Sequence, residues 1–195
     1  MIGSYTGDCA TMSPPYTIAN GLLSQSRFVA SPNCSERSTV VDLLIIHNIS
    51  LPPGQFGTGC IEDLFCNRLD PDGDPFFAEI RDLRVSAHLL IDREGRVTQF
   101  VHFDKKAWHA GESLHEGRSN CNEFSIGIEL EGTDDSGYTD AQYDQLVAIT
   151  EALFTQFPRL NRERIVGHSD VAPGRKSDPG PGFDWARYRR ALADC

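Results

Sequence analysis

An almost unbroken apolar segment, VVDLLII at residues 40–46, constrains the fold more strongly than any other part of the chain. Consecutive β-branched and aliphatic residues are typical of a central strand that is covered on both faces. His47 and Asn48 follow this segment directly. We therefore expect an internal strand of a layered domain, with His47 at the carboxyl end of that strand.

Two further patterns predict additional strands. In residues 125–131 apolar side chains alternate with small or polar ones, so a strand here would place Glu129 and Glu131 on one face. Residues 87–92 and 97–101 are strand-like segments on either side of a Gly-containing connection, which favours an antiparallel hairpin. The strands are therefore expected to form a mixed sheet.

Helical periodicity occurs in three parts of the chain. Apolar residues recur at helical spacing over residues 61–69, before a Pro- and Gly-containing loop at 70–75. A capping box begins at Thr139, and the apolar stripe that follows it stops before Pro158. Asp184 is expected to cap a last helix. With the strands, these helices predict an α/β fold in which one mixed sheet is flanked by helices.

The length and composition indicate a single domain. A chain of 195 residues with 39% hydrophobic and 24% charged residues can bury a core without disulfides or a partner. Residues 1–38 are rich in Ser, Pro, Thr and Asn and lack periodicity, so we expect an extended lead-in before a core at residues 39–195. No linker-like break follows, and one monomeric domain spanning residues 1–195 is expected.

Charge and hydropathy limit the partners and the compartment. The formal net charge of -10 argues against a broad nucleic-acid or anionic-membrane surface. No segment approaches the roughly 18 consecutive apolar residues of a membrane span, and the first residues lack the basic and apolar regions of a signal peptide. We therefore expect a cytoplasmic protein that binds neither nucleic acid nor membrane.

The cysteines do not indicate a metal knuckle or a compact disulfide framework. All six are scattered, without a C-x-x-C pair, and are interpreted as reduced thiols. Their even number leaves a secreted, disulfide-bonded alternative open. None lies in a recognisable catalytic context, which argues against a hydrolase with a cysteine nucleophile.

His47, His168 and Asp178 are the candidate metal ligands. Two imidazoles and a carboxylate, with a fourth position open, are a usual ligand set for catalytic zinc. Both histidines end apolar segments, and Asp178 lies in the stiff, Pro- and Gly-rich sequence KSDPGP. The histidines are far apart in the sequence and share no local metal motif, so spacing alone leaves open that one is a core histidine and the other a surface histidine.

Several long segments resemble the 1,6-anhydro-N-acetylmuramyl-L-alanine amidases, the AmpD family of bacterial cell-wall recycling. They occur in the family's order and cover nearly all of the chain from about residue 40 onward. Several independent matches in the right order are more specific than any single motif. The matching segments are residues 47–54, 75–80, 83–88, 107–111, 124–133, 138–142, 167–168 and 178–187.

The resemblance implies a bacterial cytoplasmic enzyme that cleaves the amide between the lactyl group of anhydro-N-acetylmuramic acid and L-alanine in anhydromuramyl peptides. It implies one Zn²⁺ held by His47, His168 and Asp178, which would activate water and polarise the amide carbonyl. It also implies that Glu129 is the general base and that Lys176 stabilises the oxyanion. Removing these peptides would lower the signal for β-lactamase induction.

The remaining roles are less constrained by the sequence. Glu131 shares the face of Glu129 and is the alternative base. At Asn120, relatives carry an additional basic residue, which leaves one contact with a stem-peptide carboxylate open. The resemblance implies that the substrate groove is lined by Asn48, Arg84, Trp108 and His109, with Arg84 pairing a substrate carboxylate. The alternatives are that Trp108 is a core residue, Arg84 a solvated surface residue and His109 a histidine whose hydrogen bonds are satisfied within the protein.

Two other functions remain open at this point. An exported or phage-type amidase would act on intact cell wall, but the chain shows no wall-binding repeat. A catalytically silent muropeptide-binding module, as in peptidoglycan recognition proteins without a complete metal set, would lack one of the three ligands. The complete ligand set favours an enzyme.

Overall fold

A computed structural model describes residues 16–193, and a six-stranded mixed sheet lies at the centre of this part of the chain. The strands are β1 (Ile18–Ala19), β2 (Leu22–Leu23), β3 (Arg27–Phe28), β4 (Cys34–Glu36), β5 (Leu43–Ile49), β6 (Leu89–Ile91), β7 (Val97–Gln99), β8 (Lys105–Ala107), β9 (Leu114–His115), β10 (Arg118–Ser119), β11 (Ser125–Glu131) and β12 (Ile165–Gly167). The helices are α1 (Cys60–Phe65), α2 (Pro75–Ile80), α3 (Asp140–Gln156), α4 (His168–Val171) and α5 (Trp185–Ala193), with 3-10 turns at Cys121–Glu123 and Arg162–Arg164.

The main sheet has the order β12-β5-β11-β6-β7-β3. Its pairs are parallel except for β6 with β7, which form the predicted antiparallel hairpin with shorter strands than expected. Helices pack on the sheet, so the predicted α/β fold with one mixed sheet flanked by helices is confirmed.

The central strand β5 is covered on both faces, as the sequence predicts. Leu44 and Ile46 belong to the large apolar cluster under α3 and α5, whereas Leu43 and Ile45 belong to a separate cluster on the opposite face. The strand begins and ends three residues later than the apolar segment suggests. His47 therefore lies inside the strand and not at its end, because β5 stays paired with β11 through Ile49.

The described part of the predicted lead-in packs along the sheet. Strand β3 pairs in parallel with β7 at the sheet edge, and β4 pairs with β8. The backbone N–H of Leu23 donates to Gln99 Oε1 at 2.8 Å, and the Leu23 side chain is buried. Residues 1–15 lie outside the described residues.

The helices follow their local signals with two exceptions. Thr139 caps α3 in a complete capping box, and α5 begins directly after Asp184. Helix α1 is shorter than the predicted segment 61–69, and α2 was not predicted. The signal for α2 was present, because Asp74 caps it and proline occupies its first turn.

Among residues 16–193, no helix combines the length and the apolar character that crossing a membrane requires. The described cysteines are Cys34, Cys60, Cys66 and Cys121, and none of them forms a disulfide with another described residue. Cys9 and Cys195 lie outside the described residues.

Candidate metal centre and cleft

The candidate site forms near the carboxyl ends of three neighbouring parallel strands, β12, β5 and β11. His47 is the register partner of Glu129, so the two side chains lie side by side on one face of β5 and β11. Gly167 at the end of β12 pairs with Ile46, which brings the next residue, His168, beside His47. The carboxyl ends of parallel strands are the usual location of ligand sites in open α/β sheets.

Three side-chain atoms converge at this place. His47 Nδ1 lies 3.0 Å from His168 Nδ1 and 3.1 Å from Asp178 Oδ2, and His168 Nδ1 lies 3.0 Å from the same Oδ2. In tetrahedral zinc sites, ligands about 2.0–2.2 Å from the metal lie about 3.3 Å from one another. Among the described residues these three form the only cluster of its kind that could hold a metal ion.

The protonation of the ligand groups suits a cation. Burial lowers the pKa of His47 to about 4, so its imidazole is neutral near pH 7. Asp178 supplies a carboxylate oxygen, which is an anionic ligand near neutral pH. His168 Nε2 lies 3.2 Å from the carbonyl oxygen of Ala110, which can only accept, so Nε2 carries the proton and Nδ1 presents a lone pair.

Glu129 is a buried carboxyl group without a partner for one of its oxygens. No described residue forms a hydrogen bond with Oε2, although this atom is inaccessible to solvent. Burial raises the pKa of Glu129 well above its ordinary value, the negative charge of Asp178 raises it further, and Lys176 opposes both effects. A raised pKa beside a candidate metal site is typical of a carboxylate that exchanges protons during catalysis.

Glu131, the alternative base, has a different environment. Its Oε1 accepts from the backbone N–H of Gly57 at 2.6 Å, and its Oε2 accepts from the backbone N–H of Arg93 at 3.2 Å. Both oxygens therefore anchor neighbouring loops, those that contain Gly57 and Arg93. Glu131 does not line the cleft. This geometry favours Glu129 as the base.

Lys176 lines the cleft together with Asp178, and a turn precedes it in the chain. The backbone N–H groups of Arg175 and Lys176 both donate to the carbonyl of Ala172, which makes a turn. Arg175 also lines the cleft and was not singled out in the sequence. Its guanidinium donates to the carbonyls of Ala110 and Glu112, each at 2.6 Å.

The cleft has a volume of about 360 Å³, and all four predicted groove residues line it. Trp108 is half-buried and donates from Nε1 to Ser35 Oγ, and Arg84 is exposed with one guanidinium nitrogen bound to backbone carbonyls. Asn48 Nδ2 donates to Asp134 Oδ1 and to the Pro179 carbonyl, so its Oδ1 is the atom left for a substrate donor.

His109 differs from the other three groove residues because its ring is buried. Only 8% of its surface is exposed, and its Nδ1 lies 2.9 Å from His47 Nε2. This contact is on the side of His47 that faces away from the candidate metal position.

Comparison with known proteins assigns the chain to a family. The family model described as N-acetylmuramoyl-L-alanine amidase matches residues 37–181. The 1,6-anhydro-N-acetylmuramyl-L-alanine amidase AmpD of Enterobacter cloacae is 54% identical over 177 residues, which cover 90% of this chain and 94% of the relative.

Two solved structures extend the comparison. A crystal structure of an AmpD selenomethionine derivative superposes with a TM-score of 0.88 at 53% identity and covers 90% of this chain and 98% of the other. The Escherichia coli amidase AmiD, in complex with anhydro-N-acetylmuramic acid-L-Ala-D-γ-Glu-L-Lys, superposes with a TM-score of 0.57 at 26% identity. That match covers 90% of this chain and 65% of AmiD.

Proposed function

The chain belongs to the N-acetylmuramoyl-L-alanine amidase family, and on that premise we propose that it uses one zinc ion to hydrolyse the lactyl–L-alanine amide of 1,6-anhydro-N-acetylmuramyl peptides. The observation that carries the proposal is the convergence of His47 Nδ1, His168 Nδ1 and Asp178 Oδ2 within 3.1 Å of one another. The unpartnered oxygen of Glu129 belongs to the same cleft.

The three donor atoms suit zinc in number, chemistry and spacing. When bound, the ion would supply a Lewis acid for the amide carbonyl and would make water a stronger nucleophile near neutral pH. His47 and His168 contribute neutral nitrogens, and Asp178 contributes the single negative charge. A fourth position remains for the reactants, because these three residues are the only members of the cluster among the described residues.

Glu129 moves the proton in this proposal. Its Oε2 removes a proton from the attacking water, and the raised pKa lets the carboxyl group keep that proton until the amide nitrogen of alanine needs it. The carbon–nitrogen bond then breaks and the peptide leaves as a neutral amine. The other proton of the water stays on the new carboxyl group and passes to the released amine through solvent, so the products are the anhydromuramic acid carboxylate and a peptide that begins with a protonated L-alanine.

Lys176 stabilises the negative charge that develops on the amide oxygen. Its side chain lines the cleft and its charge acts on Glu129, so its ammonium group is close to the reacting atoms. A preorganised cation at a developing oxyanion strengthens binding in the transition state more than in the ground state.

The remaining cleft residues hold the substrate. Asn48 Oδ1 accepts from a substrate N–H, the Trp108 ring offers an apolar surface to the sugar, and the free guanidinium nitrogens of Arg84 pair a stem-peptide carboxylate. His109 was predicted to belong to this group, and its buried ring suggests a different role, described below.

We propose the cytoplasm of a bacterium as the setting, with the protein acting as a monomer that binds neither nucleic acid nor membrane. The net charge of -10 and the resemblance to cell-wall recycling enzymes support this setting. The catalytic core comprises residues 39–195, preceded by residues 1–38. Cleavage there would lower the concentration of the anhydromuramyl peptides that induce β-lactamase.

The proposal is tested by release of free peptide from anhydromuramyl tripeptide before and after chelation, and again after zinc is restored. We expect cleavage to stop on chelation and to return with zinc, because the ion would polarise the amide carbonyl and activate the attacking water. Binding without cleavage by the zinc-loaded protein would instead indicate a silent muropeptide-binding module. Equal or faster cleavage of intact cell wall would indicate a wall-degrading amidase.

Replacing Lys176 with methionine is expected to lower kcat by about 10²–10³-fold, the usual effect of losing one oxyanion donor. Methionine keeps the length and apolar stem of lysine but carries no charge. Steady-state kinetics of the zinc-loaded variant provide the measurement, and zinc content should remain one per chain because Lys176 is not part of the ligand cluster. Arg187→Met removes a cation outside the cleft and is the matched control. A raised KM with unchanged kcat in K176M would assign Lys176 to substrate binding.

A further inference from the structure

The distal nitrogen of His47 is held by a second histidine. His47 Nε2 lies 2.9 Å from His109 Nδ1, and the two rings meet edge to face with centroids 5.0 Å apart. His109 Nε2 lies 3.2 Å from Ser125 Oγ on the other side of its ring. Both nitrogens of His109 are therefore engaged, one of them by a candidate metal ligand.

The direction of each hydrogen bond in this chain follows from its last member. Ser125 Oγ lies 2.6 Å from the carbonyl oxygen of Cys121, which can only accept, so the Ser125 hydroxyl donates its proton there. Ser125 Oγ must then accept from His109 Nε2–H, which leaves a lone pair on His109 Nδ1. That lone pair accepts from His47 Nε2–H, so His47 Nδ1 carries a lone pair and no proton.

We propose that His109 is a positioning residue of the metal site, which fixes the tautomer and ring orientation of His47 so that Nδ1 faces the ion. The proposal rests on the proposed zinc-dependent function. With both histidines protonated at Nε2, His47 Nδ1, His168 Nδ1 and Asp178 Oδ2 are three acceptors that face one another at about 3 Å. No proton is available between them, and a cation relieves the mutual repulsion.

The same short segment orients the second histidine ligand. Ala110, next to His109 in the chain, offers its carbonyl oxygen to His168 Nε2–H at 3.2 Å. The backbone N–H groups of both His109 and Ala110 donate to Asn122 Oδ1, at 3.1 and 2.8 Å. One segment, held by one asparagine, therefore contacts the distal nitrogens of both histidine ligands.

Gly127 makes room for the His109 ring. It occupies the middle of β11, where glycine weakens a strand unless another group approaches closely. A Cβ atom at this position would lie 2.5 Å from His109 Cγ and Nδ1, far inside contact distance. Its φ does not fall in the left-handed region, so the approach of the ring is the reason for glycine here.

The test measures the zinc affinity of purified apo-protein by competition with a chromophoric chelator. His109→Ala is expected to weaken zinc affinity by about 10–100-fold, the usual effect of removing a hydrogen-bond partner of a ligating histidine. His102→Ala removes a histidine outside the cleft and is the matched control, which should bind zinc as the unmodified chain does. Thermal unfolding of each apo-protein shows whether the variants are folded.

Two further variants keep the test decisive if His109→Ala does not fold. His109→Asn places an amide oxygen close to the position of Nδ1, so it should retain most of the zinc affinity. Ser125→Ala removes the group that sets the His109 tautomer, and a smaller loss in the same direction is expected.

Two results would overturn the positioning role. Unchanged zinc affinity in His109→Ala with a raised KM would make His109 a substrate contact, and equal losses in His109→Ala and His109→Asn would remove the acceptor from the explanation. An unmodified chain that binds no zinc would contradict the proposed function itself. That outcome is distinct, because it does not depend on any variant.

Discussion

Replacing Glu129 with glutamine is expected to lower kcat by about 10²–10⁴-fold, the contribution of a positioned general base, while zinc still binds one per chain. Glutamine has the shape of glutamate but cannot take a proton from water or return one to the alanine nitrogen. Glu129 lies beside His47 in register but is not part of the ligand cluster, so the metal site should persist. Kinetics on anhydromuramyl tripeptide, with zinc content determined on the same sample, give both quantities.

Glu131→Gln is the matched control, since Glu131 lies two residues further along the same strand face. Its oxygens accept from the backbone N–H groups of Gly57 and Arg93, so an amide there should weaken loop packing and lower the melting temperature. The kcat of the folded variant should change far less than in Glu129→Gln. A larger kcat loss in Glu131→Gln, or loss of zinc from Glu129→Gln, would contradict the assignment of the base.

Elements with a complete local pattern could be predicted from the sequence almost to the residue. Strand β11 spans the predicted residues 125–131, because the alternation extends over all seven positions and the strand is buried along its whole length. Helix α3 begins after Thr139 because the capping box satisfies the first backbone N–H groups, and it ends near Pro158, where a helix cannot continue.

Elements that depend on distant partners could not be predicted in this way. Strands β1 to β4 contain two or three residues each, too few to show a period. They form because β1 and β2 pair with each other, β3 pairs with β7 and β4 pairs with β8. Pairing with a distant strand also explains why β5 ends at Ile49, three residues after the apolar segment. His47, Asn48 and Ile49 are polar or mixed in character, yet pairing with residues 129–131 of β11 keeps them extended.

The candidate site contains residues that a local pattern could identify and residues that only distant pairing brings together. His47 and His168 lie 121 residues apart in sequence, and only the family resemblance, not their spacing, connected them before the sheet register placed them together. The choice between Glu129 and Glu131 could not be made from alternation, since both share one face. The two residues differ in their hydrogen bonds: the backbone N–H groups of Gly57 and Arg93 donate to Glu131, which leaves Glu129 available as the base.

The role of His109 was the least accessible to sequence reasoning. The resemblance placed it in the groove, and the structure buries its ring between His47 and Ser125. One local signal existed, because Gly127 lies in the middle of a strand, on the face it shares with Ser125 and Glu129, and such a glycine often marks a close approach. The identity of the approaching group follows only from the tertiary packing.

Replacing Asp178 with alanine is expected to abolish stoichiometric zinc binding and to lower kcat/KM by about 10³-fold or more, since a catalytic metal supplies several kcal/mol to the transition state. Asp178 provides the only negative charge among the three ligand atoms, and its Oδ2 lies 3.0 Å from His168 Nδ1 and 3.1 Å from His47 Nδ1. Without it, two neutral nitrogens would face each other with no anion to balance the ion. Zinc content and cleavage of anhydromuramyl tripeptide are measured together.

Asp178→Asn and Asp184→Ala separate loss of the ligand from loss of stability. Asparagine keeps a weakly ligating oxygen without the charge, so this variant should regain part of its activity at high zinc concentration, whereas Asp178→Ala should regain less. Asp184 caps α5 by accepting from the Arg187 N–H, and its replacement should cost about 1 kcal/mol of stability but leave zinc binding intact. Activity and bound zinc falling in step across the Asp178 variants, but not in Asp184→Ala, would tie catalysis to this carboxylate as a metal ligand. Full cleavage by a zinc-free Asp178→Ala protein would rule that mechanism out.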